Sequence, residues 1–257
     1  MIAVQVSHVS KSYRLYRNAP TRVGNLQEHM MSALGFSAKA LKESTNSAFR
    51  AISDVTFDVR TGEKVAVLGG NGAGKTTLLK VIAGITRPSE GAITTRGKVA
   101  SVFGVGSGLH SMLTGRENIA MYGTLLGMSR KDIRKRFDDI VSFAAVEEFI
   151  DIPMKFYSSG MAARLAFSVA SYVEADVLLL DEINAVGDAD FQTRSYERIK
   201  QMVAGGRTVI MVTHHMTGLK DLCDRAIVLS HGRLVADGAV ESIIPAYLSN
   251  SLAGLRT

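Results

Sequence analysis

Residues 64–82 read KVAVLGGNGAGKTTLLKVI. An apolar strand, KVAVL, runs into a glycine-rich loop, and an apolar helix follows it. From Gly69 to Thr76 the loop fits the pattern G-x-x-x-x-G-K-[ST], in the strand-to-helix context that the pattern requires. Gly70, Gly72 and Gly74 are expected to adopt backbone conformations closed to other residues. Successive N–H groups along Gly69, Gly70, Asn71, Gly72, Ala73 and Gly74, and on to Thr76 and Thr77, then converge on one anion. A helix starting near Lys75 adds the partial positive charge of its N-terminus. Lys75 would reach the β- and γ-phosphates of a nucleotide such as ATP, and the Thr76 hydroxyl can ligate Mg²⁺, a hard ion that prefers oxygen. The bland alternative is a glycine-rich turn with a solvated lysine, and the flanking strand and helix argue against it.

Two later strands end in polar residues. VLLLDE, 177–182, ends in two carboxylates. Asp181 is expected to hold Mg²⁺ beside the phosphate cradle. Glu182 lies where an attacking water must stand and is the candidate general base. VIMVTHH, 209–215, ends in two histidines. His214 would orient that water if its strand neighbours the cradle strand, and His215 reads as structural.

YSSGM, 157–161, opens an apolar helix. Hydrolysis of a γ-phosphate needs positive potential on both of its sides. The cradle supplies one. Ser158, the Ser159 hydroxyl and the Gly160 N–H at a helix start could supply the other. That helix feeds directly into the strand carrying Asp181, so its tip is not expected to fold back onto the same nucleotide. The economical arrangement is a second copy of the chain, whose serines reach the ATP held by the first.

The bulk composition agrees with a globular protein able to bury a full core in 257 residues. A single cysteine, Cys223, excludes an internal disulfide and fits a reducing compartment. MIAVQVSHVSKSY does not read as a signal peptide, and no run of about 18 apolar residues would span a bilayer. The net charge is +6, and residues 11–50 concentrate it. Lys11, Arg14, Arg17, Arg22, Lys39, Lys42 and Arg50 stand there against only Glu28 and Glu43. No zinc cluster or zipper points to nucleic acid.

IAVQVSHV, 2–9, and ISDVTFDV, 52–59, alternate apolar and polar residues, as half-buried antiparallel strands do. The segment 17–50 between them is an insert with one helical stripe. Residues from about 113 to 175 are helical in pattern. Strands and helices then alternate to a last helix near 240–249, which argues a mostly parallel sheet flanked by helices.

The series GGNGAGKTT, YSSGM, VLLLDE, AVGD (185–188) and VTHH, in this order, resembles the nucleotide-binding subunit of an ABC transporter along nearly the whole chain. The resemblance implies a P-loop ATPase fold in the α/β class. It has a mostly parallel sheet core, an antiparallel β subdomain and a helical subdomain at about 113–173, all within one domain over 1–250, with a short tail at 251–257. YSSGM takes the place of the family's LSGGQ signature. Asp188 falls at the dimer seam, and Tyr13 matches the aromatic that stacks on adenine, with Tyr16 as a possible substitute. LTGRENI, DEINAVGDADF and the N-terminal insert look like the exporters of O-antigen, capsule or teichoic acid. That branch implies a dimer of ATPase subunits, separate membrane permease subunits, a lipid-linked polysaccharide as cargo, and a peripheral place on the cytoplasmic side of the membrane. An exporter of another lipid, a drug or a peptide is the nearest rival, and a soluble ATPase acting on nucleic acid a more distant one.

The chain departs from the family in two places. It has no glutamine from 75 to 157, and Val105 falls roughly where the family's Q-loop glutamine would stand, with His110 the candidate for related work. Met161 replaces the signature's last glutamine. The basic insert is either a solvated loop or a surface turned toward anionic lipid. Leu113, Ile119, Tyr122 and Leu126 line either a groove for the membrane subunit or the core of their own helices.

Overall fold

The computed structural model describes residues 1–15, 47–103, 108–181, 188–213, 216, 218–249 and 251. Strands β1 (Ile2–Leu15), β2 (Ser47–Arg60) and β3 (Lys64–Leu68) lead into helix α1 (Lys75–Ile82). Strands β4 (Glu90–Thr95) and β5 (Val99–Phe103) follow. Helices α2 (Gly115–Leu125), α3 (Arg130–Ala144) and α4 (Ser159–Ser171) come next, with two 3₁₀ turns before α4. The chain then alternates β6 (Val177–Asp181), α5 (Ala189–Ala204), β7 (Thr208–Val212), the short α6 (Leu219–Leu222), the hairpin β8 (Arg225–Ser230) and β9 (Arg233–Ala239), and α7 (Val240–Leu248).

Among the described residues these strands form two sheets. The larger has the order β5-β6-β7-β3-β8-β9, parallel except for the last hairpin. The smaller is antiparallel, in the order β2-β1-β4. The larger sheet is covered on both faces, so its central strands carry continuous apolar runs instead of alternating, with polar residues such as Lys64, Asp181 and Thr208 only at their ends. Every residue of β6 and of β7 is buried.

Successive side chains of those strands divide between two cores, as a period of two requires. Ala66, Leu68, Leu178, Leu180, Val209 and Met211 join the core formed with α2, α3, α4 and α5. Val65, Val67, Leu179, Ile210 and Val212 join the core beneath the antiparallel sheet and α1. The helix that follows the glycine loop and the helix that starts at Ser159 therefore pack on opposite faces of the sheet.

The first two strands are longer than their alternation suggests. Each runs 14 residues, against the eight expected. Register shifts near Val9 and Lys11 break the period of two and hide the continuation. His8 and Asp54 take left-handed backbone at these irregularities (φ 51° and 54°), and His8 Nδ1 lies 2.8 Å from Asp54 Oδ1. Strand β5 had no clear pattern in sequence. It lies at the edge of the large sheet, paired with β6 from Val99 to Phe103.

The helices begin where local chemistry stops the chain from doing otherwise. Thr114 caps α2 by accepting from Glu117 N, while the Glu117 carboxylate accepts from Thr114 N. Ser129 and Asp132 repeat this reciprocal box at α3. Ile119 and Tyr122 are buried in the helical core, so they do not line a groove. Leu126 packs against that core while partly exposed.

Candidate functional site

Three glycines of the 69–74 loop have left-handed backbone, and they differ from the three named in sequence. Gly69, Gly72 and Gly74 have φ of 148°, 77° and 101°, whereas Gly70 is not in that region. At Gly69 and Gly74 the need is also steric. A Cβ at Gly69 would stand 2.4 Å from the Leu229 carbonyl oxygen, and one at Gly74 would stand 2.5 Å from the Ala51 carbonyl oxygen. Gly70 has nothing within 4 Å of its Cβ position and faces open space. The glycine there leaves room for a ligand and is not needed for a turn.

The loop is held from below by the β8–β9 hairpin. Gly232 donates its N–H to the Ala73 carbonyl (3.1 Å) and accepts from Ser53 N (2.8 Å). His231 and Gly232 form the hairpin turn with φ of 47° and 76°. A His-Gly pair between two apolar runs is a hairpin signal, one not singled out in sequence. Its role as the floor of the loop depends on a contact between residues distant in sequence.

Lys75 is buried, and its Nζ donates to the carbonyls of Gly69 (2.8 Å) and Gly70 (3.0 Å). The lysine thus lies across the mouth of its own loop. Gly74 stands at the N-cap of α1 and offers no side-chain acceptor. A helix whose first N–H groups serve an anion needs such an uncapped start. Thr76 is exposed on the first turn and Thr77 is half-buried.

Asp181 ends β6 and is buried. It is one strand removed from the cradle strand, because β7 runs between β6 and β3. Asp181 pairs in register with Val212, and Val212 with Val67, so Asp181 and the loop share the carboxyl edge of the sheet. The strand leading to His214 is therefore the neighbour of the cradle strand, as its proposed role requires. His214 and Glu182 themselves lie outside the described residues, as do Val105 and Tyr16.

Ser158 is the N-cap of α4, where its side chain accepts from Met161 N at 3.1 Å. The sequence reading grouped the two serines together. In the structure Ser158 shapes the helix start, while Ser159 and Gly160 occupy the first helical positions. Both serines are exposed. Asp188 caps α5 by accepting from Phe191 N (2.9 Å), and its other oxygen lies 3.6 Å from Arg164 Nη1.

Tyr13 is exposed on β1 opposite Phe49 of β2. Lys11 Nζ stands 5.1 Å from the Tyr13 ring centroid and donates to the Arg87 carbonyl. Phe49, half exposed, was not singled out in sequence and widens this aromatic surface. His110 turns out to be a loop-building residue. Its Nδ1 accepts from Met112 N (3.2 Å), and its backbone is held on both sides by the Asn118 amide. Of the basic residues in 11–50, Arg50 is committed to the sheet, bonding Ser10 Oγ and the Glu90 carboxylate. Arg17, Arg22, Lys39 and Lys42 lie outside the described residues.

Comparison with known proteins identifies the family. Residues 52–185 match the ABC transporter family. The chain belongs to that family. It is 43% identical over 244 residues to the O-antigen export system ATP-binding protein RfbB of Klebsiella pneumoniae, covering 95% of this chain and 96% of that one. It is 35% identical over 246 residues to the teichoic acids export ATP-binding protein TagH of Listeria monocytogenes, covering 96% of this ABC transporter chain and 70% of that protein. Among solved structures, the fold is shared with an ATP-binding subunit of an ABC transporter (TM-score 0.70, 23% identity, 99% and 94% of the two chains). It is shared too with the dimeric, post-hydrolysis ATP-binding cassette MJ0796 bound to ADP and Pi (TM-score 0.68, 21% identity, 92% and 98%).

Proposed function

We propose that this chain is the ATP-hydrolysing subunit of an ABC exporter that drives a lipid-linked polysaccharide, of the O-antigen or capsule kind, across the cytoplasmic membrane. The observation that carries the reading is similarity along nearly the full length to ATP-binding proteins of O-antigen export. Relatives from teichoic acid export point to the same cargo class. Among the described residues no helix is long and apolar enough to cross a membrane. On the likeness to export-system ATP-binding proteins, the chain would act from the cytoplasmic face with separate permease subunits.

ATP would lie with its base on Tyr13 and its phosphates over Gly69–Thr77. Lys75 would exchange the carbonyls of Gly69 and Gly70 for the β- and γ-phosphates. The oxygen donors of Thr76 and Asp181, at the same sheet edge, suit Mg²⁺. When bound, the ion would neutralise charge on the phosphate oxygens. Glu182 would take the proton of the attacking water, and His214 would hold that water in line. Ser159 and Gly160 cap the γ-phosphate of a nucleotide on a second copy of the chain. The packing of α1 and α4 on opposite faces of the sheet favours that sharing over closure within one chain. ATP binds the closed pair better than the open one, and this difference is what can do work on the permease.

The test is Glu182→Gln. This variant should bind ATP with wild-type affinity and elute as a stable ATP-dependent dimer, with hydrolysis reduced at least about 100-fold. Wild-type turnover would remove Glu182 as the base. Cargo is tested separately, by ATPase stimulation of the complex with its permease upon adding lipid-linked glycan. Stimulation by a drug or peptide alone would move the assignment to the rival exporter class.

A further inference from the structure

At the end of α4 remote from Ser158, two guanidiniums crowd around one ring and a third lines the same cavity. The Arg198 Cζ lies 4.1 Å and the Arg136 Cζ 5.9 Å from the Tyr172 ring centroid. Both arginines line a cavity of about 170 Å³ together with Arg207, Glu174 and Tyr172. A second groove continues past Tyr172 toward Lys98 and Lys135.

The charges here are poorly neutralised. Among the described residues Arg198 donates only to neutral acceptors, the Ser171 carbonyl (3.0 Å) and Gln201 Oε1 (3.2 Å), and its buried Nε makes no hydrogen bond to them. Among the described residues Arg207 reaches only the Val173 carbonyl, at 3.4 Å. Neither pairs with a carboxylate among the described residues. Arg136 forms ion pairs with Glu174 (3.4 Å) and Asp139 (3.5 Å), so the uncompensated charge rests on Arg198 and Arg207. Burial first, and then the charges of Arg136 and Arg207, outweigh the attraction of Tyr172 and Asp139 and hold the Arg198 guanidinium below its ordinary value.

Capping explains part of this cluster. Ser171 and Val173 present carbonyls at the C-terminal end of α4, where cations are favoured. That helix end amounts to about half a negative charge. It leaves most of the charge of Arg198 and Arg207 unbalanced, in a cavity with room for a ligand.

We propose that this cavity is an anion site for a phosphoryl group. Planar guanidinium forks match the paired oxygens of phosphate. A doubly charged group would neutralise both unpaired arginines, which one carboxylate would not. The site is distinct from the nucleotide cradle. It lies at the far end of a 13-residue helix, about 18 Å from the helix tip at Ser159. The phosphoryl group could come from free phosphate or from an anionic lipid headgroup.

The two sources are separated by one set of proteins in two assays. Inorganic phosphate is titrated calorimetrically into the full chain saturated with a non-hydrolysable ATP analogue, so that the γ-phosphate position of the cradle is filled as well. Wild type should show saturable uptake, weakened at least tenfold in Arg207→Gln and in Arg136→Gln, with circular dichroism confirming that both fold. Lys75→Ala should retain the phosphate uptake. Flotation with phosphatidylcholine vesicles, with and without phosphatidic acid, identifies the headgroup source if only the acidic vesicles lift wild type and neither arginine variant follows. Uptake in calorimetry alone identifies free phosphate. No saturable uptake in either assay, or uptake unchanged by both arginine substitutions, overturns the proposal.

Discussion

The Arg164 guanidinium stands 3.6 Å from the Asp188 carboxylate and ties the second turn of α4 to the cap of α5. Asp188 is 65% exposed, so the ion pair itself contributes little, while the cap it gives Phe191 N contributes more. Asp188→Ala should cost about 1 kcal/mol. Asp188→Asn, which can still cap, should cost at most a few tenths. Urea denaturation of the two variants decides the matter. Equal losses would mean that the charge, and not the cap, holds α5.

Two glycines four positions apart in the loop, Gly70 and Gly74, should fail in opposite ways. Gly74→Ala forces a methyl to within 2.5 Å of the Ala51 carbonyl oxygen on left-handed backbone. It should destabilise the fold by about 2 kcal/mol or more. Gly70→Ala meets nothing and should leave stability within about 0.5 kcal/mol of wild type. Its methyl would nonetheless occupy ligand space, so nucleotide affinity should fall at least about tenfold, roughly 1.4 kcal/mol. Thermal melts and titration with a fluorescent nucleotide measure both. A Gly70→Ala protein that binds ATP normally would mean the open space beside it is not where phosphates sit.

The capping boxes predict a response to acid. The Glu117 carboxyl is held below its ordinary range by the hydrogen bonds from Thr114, and Asp132 likewise by Ser129. With the folded value depressed, each box contributes above the unfolded carboxyl range near pH 4 and is lost as pH falls through the folded value. The stability gap between wild type and Glu117→Gln should therefore close as pH drops from 6 toward 3. A gap independent of pH would show that the carboxylate charge has no part in the cap.

Cys223 is buried, its Sγ 3.9 Å from the Met211 sulfur, and burial pushes its thiol up to about 12. Thiolate is the reactive form, so a disulfide reagent at pH 8 should modify this residue only when the chain opens. Its labelling rate should track denaturant concentration. Prompt stoichiometric labelling of the native chain would contradict the buried placement.

What could be read from the residues alone was what local pattern encodes. The strand before the glycine loop, the helix after it and the apolar strand ending at Asp181 each declare themselves within a few residues. The loop's glycine requirement was assigned to Gly70 in place of Gly69, because the Leu229 carbonyl that crowds Gly69 comes from a strand far along the chain. Strand β5 escaped notice because an edge strand is five residues with little alternation. The lengths of β1 and β2 escaped because bulges interrupt their period. Arg50 read as surface charge because its acceptors, Ser10 and Glu90, lie on other strands.

The placement of β7 between β3 and β6 has a metric consequence. Adjacent strands are spaced about 4.8 Å, so the backbone bearing the glycine loop and the backbone bearing Asp181 run roughly 10 Å apart. On the proposed reading, the width of one intervening strand sets the span that the nucleotide's phosphates and their Mg²⁺ would have to bridge.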